Sequence, residues 1–322
     1  MMNLMENKTL ALNQYLNSNI MKIYFTLFIM VILASCGVQK KMYRARASSE
    51  KTKTLVQEES VRLDSIQNAL LAKRNEHSVD SVLNHDMQRI LDKLNGNLNN
   101  AQQTASEVDA AAKSRSAFKK ELHNSGMTKM VLLDSFNTAR NKREEVYTIL
   151  NEAVKITAYK LFPLAAFFAP GVYQVPENAM NIITANFTPI IDSASRVANK
   201  YSDMEREVRI VFVGYSDSTP VIENSSLYKN LCQSLKKENP TQSEMNFLLS
   251  SFRAQEMSRN MKYLLNNQAY KFKNFNSLKI SYVSYGKGEE YPSPTITDYK
   301  PSDERRRIVL SYWTVLPKLS GL

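Results

Sequence analysis

Two charged residues stand where a ligand could be gripped from both ends. Asp217 closes the phrase Val213-Gly214-Tyr215-Ser216-Asp217, directly after an apolar run. Arg253 lies within Asn246-x-x-Leu249-Ser250-x-x-Arg253-Ala254-x-x-Met257, whose spacing opens a helical pattern. An ionised aspartate accepts hydrogen bonds from an ammonium group. An arginine offers a carboxylate a planar fork of donors that lysine does not reproduce. An acid and a base at one pocket therefore suit a zwitterion. The alternative is that the two simply pair with each other. Asn246 is expected to order the adjoining loop or touch the ligand, and Arg306 and Arg307 to be pocket-wall or structural charges.

The remaining reactive residues argue against catalysis. The three histidines, His77, His85 and His123, all precede the part of the chain that reads as a compact α/β region. A Ser-His-Asp or Cys-His site within that region is thus excluded. No zinc spacing, phosphate-binding loop or dinucleotide fingerprint occurs, so no metal, cofactor or enzymatic activity is expected. The net charge of +11 comes from Lys and Arg scattered along the chain, with no long basic run. That pattern reads as solvated faces, and nucleic acid is not an expected partner. Only Cys36 and Cys232 are present, too few for a disulfide framework if the first is modified.

The elements that must position Asp217 and Arg253 are readable around them. Val208-Arg209-Ile210-Val211-Phe212-Val213 reads as a central strand buried on both faces. Ile190 to Tyr201 reads as a helix, with Thr188 and Pro189 as cap and first-turn residues. Ser250 to Leu265 reads as a second helix, whose first-turn amides could assist a bound carboxylate. Val172 to Val175 is expected as a first strand, and Leu278 to Tyr285 and Arg307 to Trp313 as the last two. The order β-α-β-α-β-β implies an α+β fold, a mixed sheet with helices on one face. Residues 221–243 form an insert carrying Pro240 and the capping-box pattern Thr241-x-x-Glu244, and are expected to hold a short helix. It could cover the pocket, shape its specificity or bind a partner, or be a tolerated surface insertion.

Residues 38–162 contain no proline and only Gly96 and Gly126, whereas all ten prolines follow from Pro163 onward. A boundary is therefore placed at Phe162–Pro163, between a helical arm over 47–162 and a compact domain over 163–322. Leu83, Met87, Ile90, Leu94, Leu98, Ala101, Ala105, Val108 and Ala112 recur at steps of four and three residues. Such a stripe must bury itself on a partner helix, in an intrachain hairpin or an intermolecular coiled coil. A break is expected at Asn124-Ser125-Gly126. A second helix is expected from Met130 to Leu161, using Leu133, Val146, Ile149, Ala153 and Ile156.

At the N-terminus, Met21-Lys22 precedes an apolar run from Ile23 to Ala34, too short to span a bilayer. It ends in Leu33-Ala34-Ser35-Cys36-Gly37, which resembles a bacterial lipobox. That resemblance implies a signal peptide over 21–35, lipidation (palmitate among the acyl chains) of Cys36 and a tether over 36–46. Residues 1–20 fit no signal-peptide grammar and are expected to lie upstream of the true start.

The two site phrases, with Gly286-Lys287-Gly288-Glu289-Glu290-Tyr291-Pro292 and Arg306-Arg307-Ile308, resemble the OmpA-like peptidoglycan-binding domain in the right order. The likeness spans about Ala169 to Thr314. It implies that Asp217 and Arg253 hold the zwitterionic end of a diaminopimelate-like group in the wall's stem peptide. Tyr215 and Ser216 replace the family's usual His and Thr, Arg305 stands where Asn is usual, and the stretch from Asp217 to Asn246 is unusually long. The implied protein is a lipid-anchored, non-enzymatic component of the outer membrane, facing the periplasm and tethering that membrane to peptidoglycan. The alternative is a wall-anchoring subunit of an envelope-spanning secretion or motility complex. The arm or the insert would then contact a protein partner, or the arm a second copy.

Overall fold

The computed structural model describes residues 2–76, 81–121, 127–156, 160–162, 168–293 and 296–318, with backbone alone for 2–36 and 160–162. The chain divides into two compact units: Met1–Val61 with Leu94–Arg140, and Arg62–Lys93 with Asn141–Leu322. The architecture is α+β. The side chains of the lipobox, the expected break at 124–126 and the boundary residue Pro163 lie outside the described residues.

The helical part is built from α1 (Met2–Asn75), α2 (Ser81–Ala111), α3 (Arg115–Glu121), α4 (Met127–Thr138) and α5 (Arg140–Ile156). Every residue of the 83–112 stripe is buried. In the first unit, Ala105, Val108 and Ala112 pack with Ala45, Phe118 and Leu133, so the seam closes within the chain. The segment expected as a tether is helical there: Ala45 is buried, and the Arg46 guanidinium donates to the Ala112 carbonyl at the end of α2. The expected helix from Met130 is two helices, α4 and α5, with Val146, Ile149 and Ala153 buried in the second. Among the described residues no helix is long and apolar enough to cross a membrane.

The second unit holds α6 (Met180–Lys200), α7 (Ser226–Leu235), α8 (Gln242–Asn267) and a sheet. Its strands are β1 (Lys160–Phe162), β2 (Arg206–Gly214), β3 (Leu278–Gly286) and β4 (Val309–Pro317), in the order β1-β4-β2-β3. β2 runs parallel to β3 and antiparallel to β4, so the sheet is mixed. A parallel pair needs a crossover, which α7 and α8 supply. Val208, Ile210 and Phe212 of β2 face a core made with Ile183, Phe187 and Ile190 of α6 and Met257 and Met261 of α8. Val211 and Val213 point the other way, into a cluster with Leu310, Tyr312 and Leu83 of α2. The second face is therefore covered as well, where helices were expected on one face only.

Three expectations are corrected. Val172–Val175 is irregular rather than a first strand. Pro170 and Pro176 bracket it, and the Val172 carbonyl is taken by Arg253 instead of a ladder partner. The helix expected from Ile190 begins at Met180, and Pro189 sits inside it. Burial of the apolar face Ile183, Phe187, Ile190 and Ile191 outweighs one missing backbone donor. The capping box at Thr241 and Glu244 exists, but it starts α8 rather than a helix of the insert. The insert's own helix, α7, is capped by the Ser225 side chain, which accepts from the Tyr228 N–H.

Candidate functional site

The C-terminal ends of β2 and β3 meet under α8, and glycine makes that approach feasible. Gly214 and Gly286 are register partners. A Cβ on either would come closer than 3.0 Å to Ser250 of α8. Gly288, at φ +57°, turns the chain so that its N–H donates to Ser250 Oγ at 2.9 Å and its carbonyl accepts from the Ser216 N–H at 2.8 Å. The phrases singled out in the sequence thus share one corner, and the first job of their glycines is to let a helix sit directly on strand ends.

Asp217 follows this corner and is 3% exposed. Its Oδ2 accepts from Arg307 Nη1 at 2.8 Å and from Thr219 Oγ1 at 2.5 Å. Both contacts fall on one oxygen. Asp217 lines a cleft of about 240 Å³, whose other walls include Pro170, Gly171, Thr219, Ile222 and Leu227.

Arg253 is fully buried and does not line that cleft. Nε donates to the Val172 carbonyl at 3.0 Å, Nη1 to the Tyr215 carbonyl at 3.2 Å and Nη2 to the Ala169 carbonyl at 3.5 Å. Its guanidinium carbon lies 5.5 Å from the centre of the Phe168 ring. Burial pulls this guanidinium down to about 10; Asp217 opposes the shift and Arg307 adds to it. Asp217 and Arg253 are neighbours in the field, but the ion pair of Asp217 is with Arg307. The simple pairing of Asp217 with Arg253 is therefore replaced by a cluster of two guanidinium groups and one carboxylate.

The other anticipated residues surround this cluster. Asn246 is buried, and its Nδ2 donates to Glu289 Oε1 at 2.7 Å, which ties α8 to the turn after β3. Arg306 donates to Ser218 Oγ at 3.1 Å, to the Pro301 carbonyl at 2.9 Å and to the Glu289 carbonyl, and lies 4.9 Å from the centre of the Tyr291 ring. Arg306 is therefore a structural clamp, whereas Arg307 touches the cleft acid. The amides near Ser250 belong to the interior of α8, whose N-terminus lies at Gln242, so they do not form the expected carboxylate-binding turn. Sequence reasoning missed Thr219, Glu289 as a hub, and the insert residues Ile222 and Leu227. Thr219 follows Asp217 by two positions, the spacing of a local side-chain turn, and was the available signal.

No protein-family model matches the chain, and no curated protein matches it.

Proposed function

We propose that this chain is a lipid-anchored envelope protein with an OmpA-like domain that binds peptidoglycan non-covalently and ties the outer membrane to the cell wall. The observation that carries this reading is Asp217, a buried carboxylate that lines the cleft with Arg307 paired to it. Two guanidinium groups lie in the field of this carboxylate, and the Glu304 carboxylate lies 3.9 Å from Arg307. A zwitterionic ligand end brings an ammonium that Asp217 can accept in the cleft, and a carboxylate, and adds no net charge to the cluster. The free end of a diaminopimelate-like residue carries both groups. The helical segments with the Cys36 lipid then set the distance between membrane and wall.

Co-sedimentation of the full chain with purified peptidoglycan tests the reading. Asp217→Ala removes a charge-assisted contact of about 1.5–3 kcal/mol. Binding should weaken by about tenfold to a hundredfold. Undiminished retention by a folded Asp217→Ala protein would remove this cleft from wall binding.

A further inference from the structure

The insert is a wall of the cleft, and its chemistry differs from that of the floor. Val221, Ile222 and Leu227 line the cleft beside Asp217, together with Leu249 of α8. Pro170-Gly171 lines it too, close to the insert: a Cβ on Gly171 would be 3.3 Å from Leu227 Cδ2. Gly171 holds φ +72°, a backbone state that suits glycine. The Pro170-Gly171 wall is itself fixed from behind by Arg253, through the Ala169 and Val172 carbonyls. Ile222 is 78% exposed although it borders the cleft, a large apolar side chain left in water.

We infer that the insert residues Ile222 and Leu227 determine specificity by packing on the aliphatic stem that carries the ligand's ammonium group. The inference rests on the wall-binding reading and names what that site measures: the number of methylenes between peptide backbone and amine. Three features converge on this occupant. The lining sets one acid, Asp217, among apolar side chains, which matches a cation on a hydrocarbon stem. A volume of about 240 Å³ falls below the roughly 300–1,000 Å³ typical of drug-sized ligands. It takes one amino-acid side chain rather than a run of sugars. The exposed Ile222 gains burial only when a stem lies against it.

The test is calorimetric titration of the full chain with stem peptides bearing diaminopimelate, lysine, ornithine or 2,4-diaminobutyrate at the same position. In the last three the stem shortens by one methylene at a time while the amine is kept. For the wild type, affinity should fall roughly fourfold per methylene lost. In Ile222→Ser and in Leu227→Ala that dependence should flatten towards the value of the shortest peptide. Ile222 is exposed enough that its replacement leaves the fold intact, so circular dichroism should match the wild type. If the wild type binds with a stem-length dependence that both variants retain, the insert does not read the stem, and wall binding stands. If the wild type binds all four peptides equally, the stem is not read at all. If it binds none, while Asp217→Ala still co-sediments with peptidoglycan as well as the wild type, the wall-binding reading of this cleft falls and takes this inference with it.

Discussion

Replacing Arg253 separates the cost of burying a charge from the value of its hydrogen bonds. The guanidinium is fully buried and pulled down to about 10, well below its ordinary value. At about 1.36 kcal/mol per pH unit, keeping it charged costs on the order of 3 kcal/mol. Against this stand its bonds to the Val172 and Tyr215 carbonyls at 3.0 and 3.2 Å. Bonds from a charged donor contribute about 1.5–3 kcal/mol each. Arg253→Met removes both sides of this balance. It should destabilise the protein by about 1–3 kcal/mol, a fall of roughly 2–12 °C in melting temperature for a unit of this size. Arg253→Lys keeps the buried charge but loses the fork, so it should be the more damaging substitution. Thermal unfolding followed by circular dichroism gives both values. A lysine variant as stable as wild type would refute the argument, because its geometry cannot serve three carbonyls on two segments.

Gly286→Ala should lower the free energy of unfolding in urea by about 1–3 kcal/mol or more, since its methyl group meets Ser250 Oγ and the Ser251 backbone and α8 must shift. Thr241→Ala should cost about 1 kcal/mol through loss of the α8 cap, read from chemical denaturation. The Glu244 carboxyl is held down to about 2, first by the Lys237 ammonium and then by the Thr241 N–H. A depressed carboxyl contributes stability that is fully present above its ordinary 4.5 and lost as pH falls towards 2. The stability difference between wild type and Glu244→Gln should therefore close across that interval, in acid titrations at fixed temperature. Ile90→Asp should reduce helical content or melting temperature, because it places a carboxylate on a buried stripe of α2. Unchanged dichroism and melting would place that side chain in water.

The legible parts of the fold are those where burial is purely apolar. The α2 stripe from Leu83 to Ala112 shows itself because its seam positions are Leu, Ile, Met, Val or Ala. The matching stripe on α1 runs through Ala45, Ser49, Thr52, Val56, Glu59, Leu63, Ile66 and Leu70, with the same alternation of steps, and stays hidden. Three of its members are polar and are buried with specific partners, as when Ser49 Oγ donates to the Ala105 carbonyl at 2.6 Å. Hydrophobic patterning cannot register a position whose burial depends on a long-range hydrogen bond. Pro189 misleads for a related reason: local preference places proline in a first turn, and tertiary burial of the α6 face overrides it. At the site, Asp217 is legible from its place after a buried strand. The partners of Arg253 are not, since three backbone carbonyls leave no mark in the side-chain sequence.

Arg253 also ties the wall of the cleft to its floor without lining the cleft. Gly214 and Gly286 let α8 lie on the strand ends, which fixes the height of Arg253 above the sheet. From there its donors tie the Ala169 and Val172 carbonyls to the Tyr215 carbonyl, two residues before Asp217. The wall at Pro170-Gly171 and the acid on the floor are thereby set at one distance by a single planar group. Loss of the fork should loosen the wall before it alters the charge of the floor. Arg253→Lys should accordingly weaken stem peptides of every length by a similar factor, while Ile222→Ser flattens the dependence on length. If Arg253→Lys flattened it as well, the stem would be read by a flexible wall, and the rigid spacing set by the guanidinium would not be what measures it.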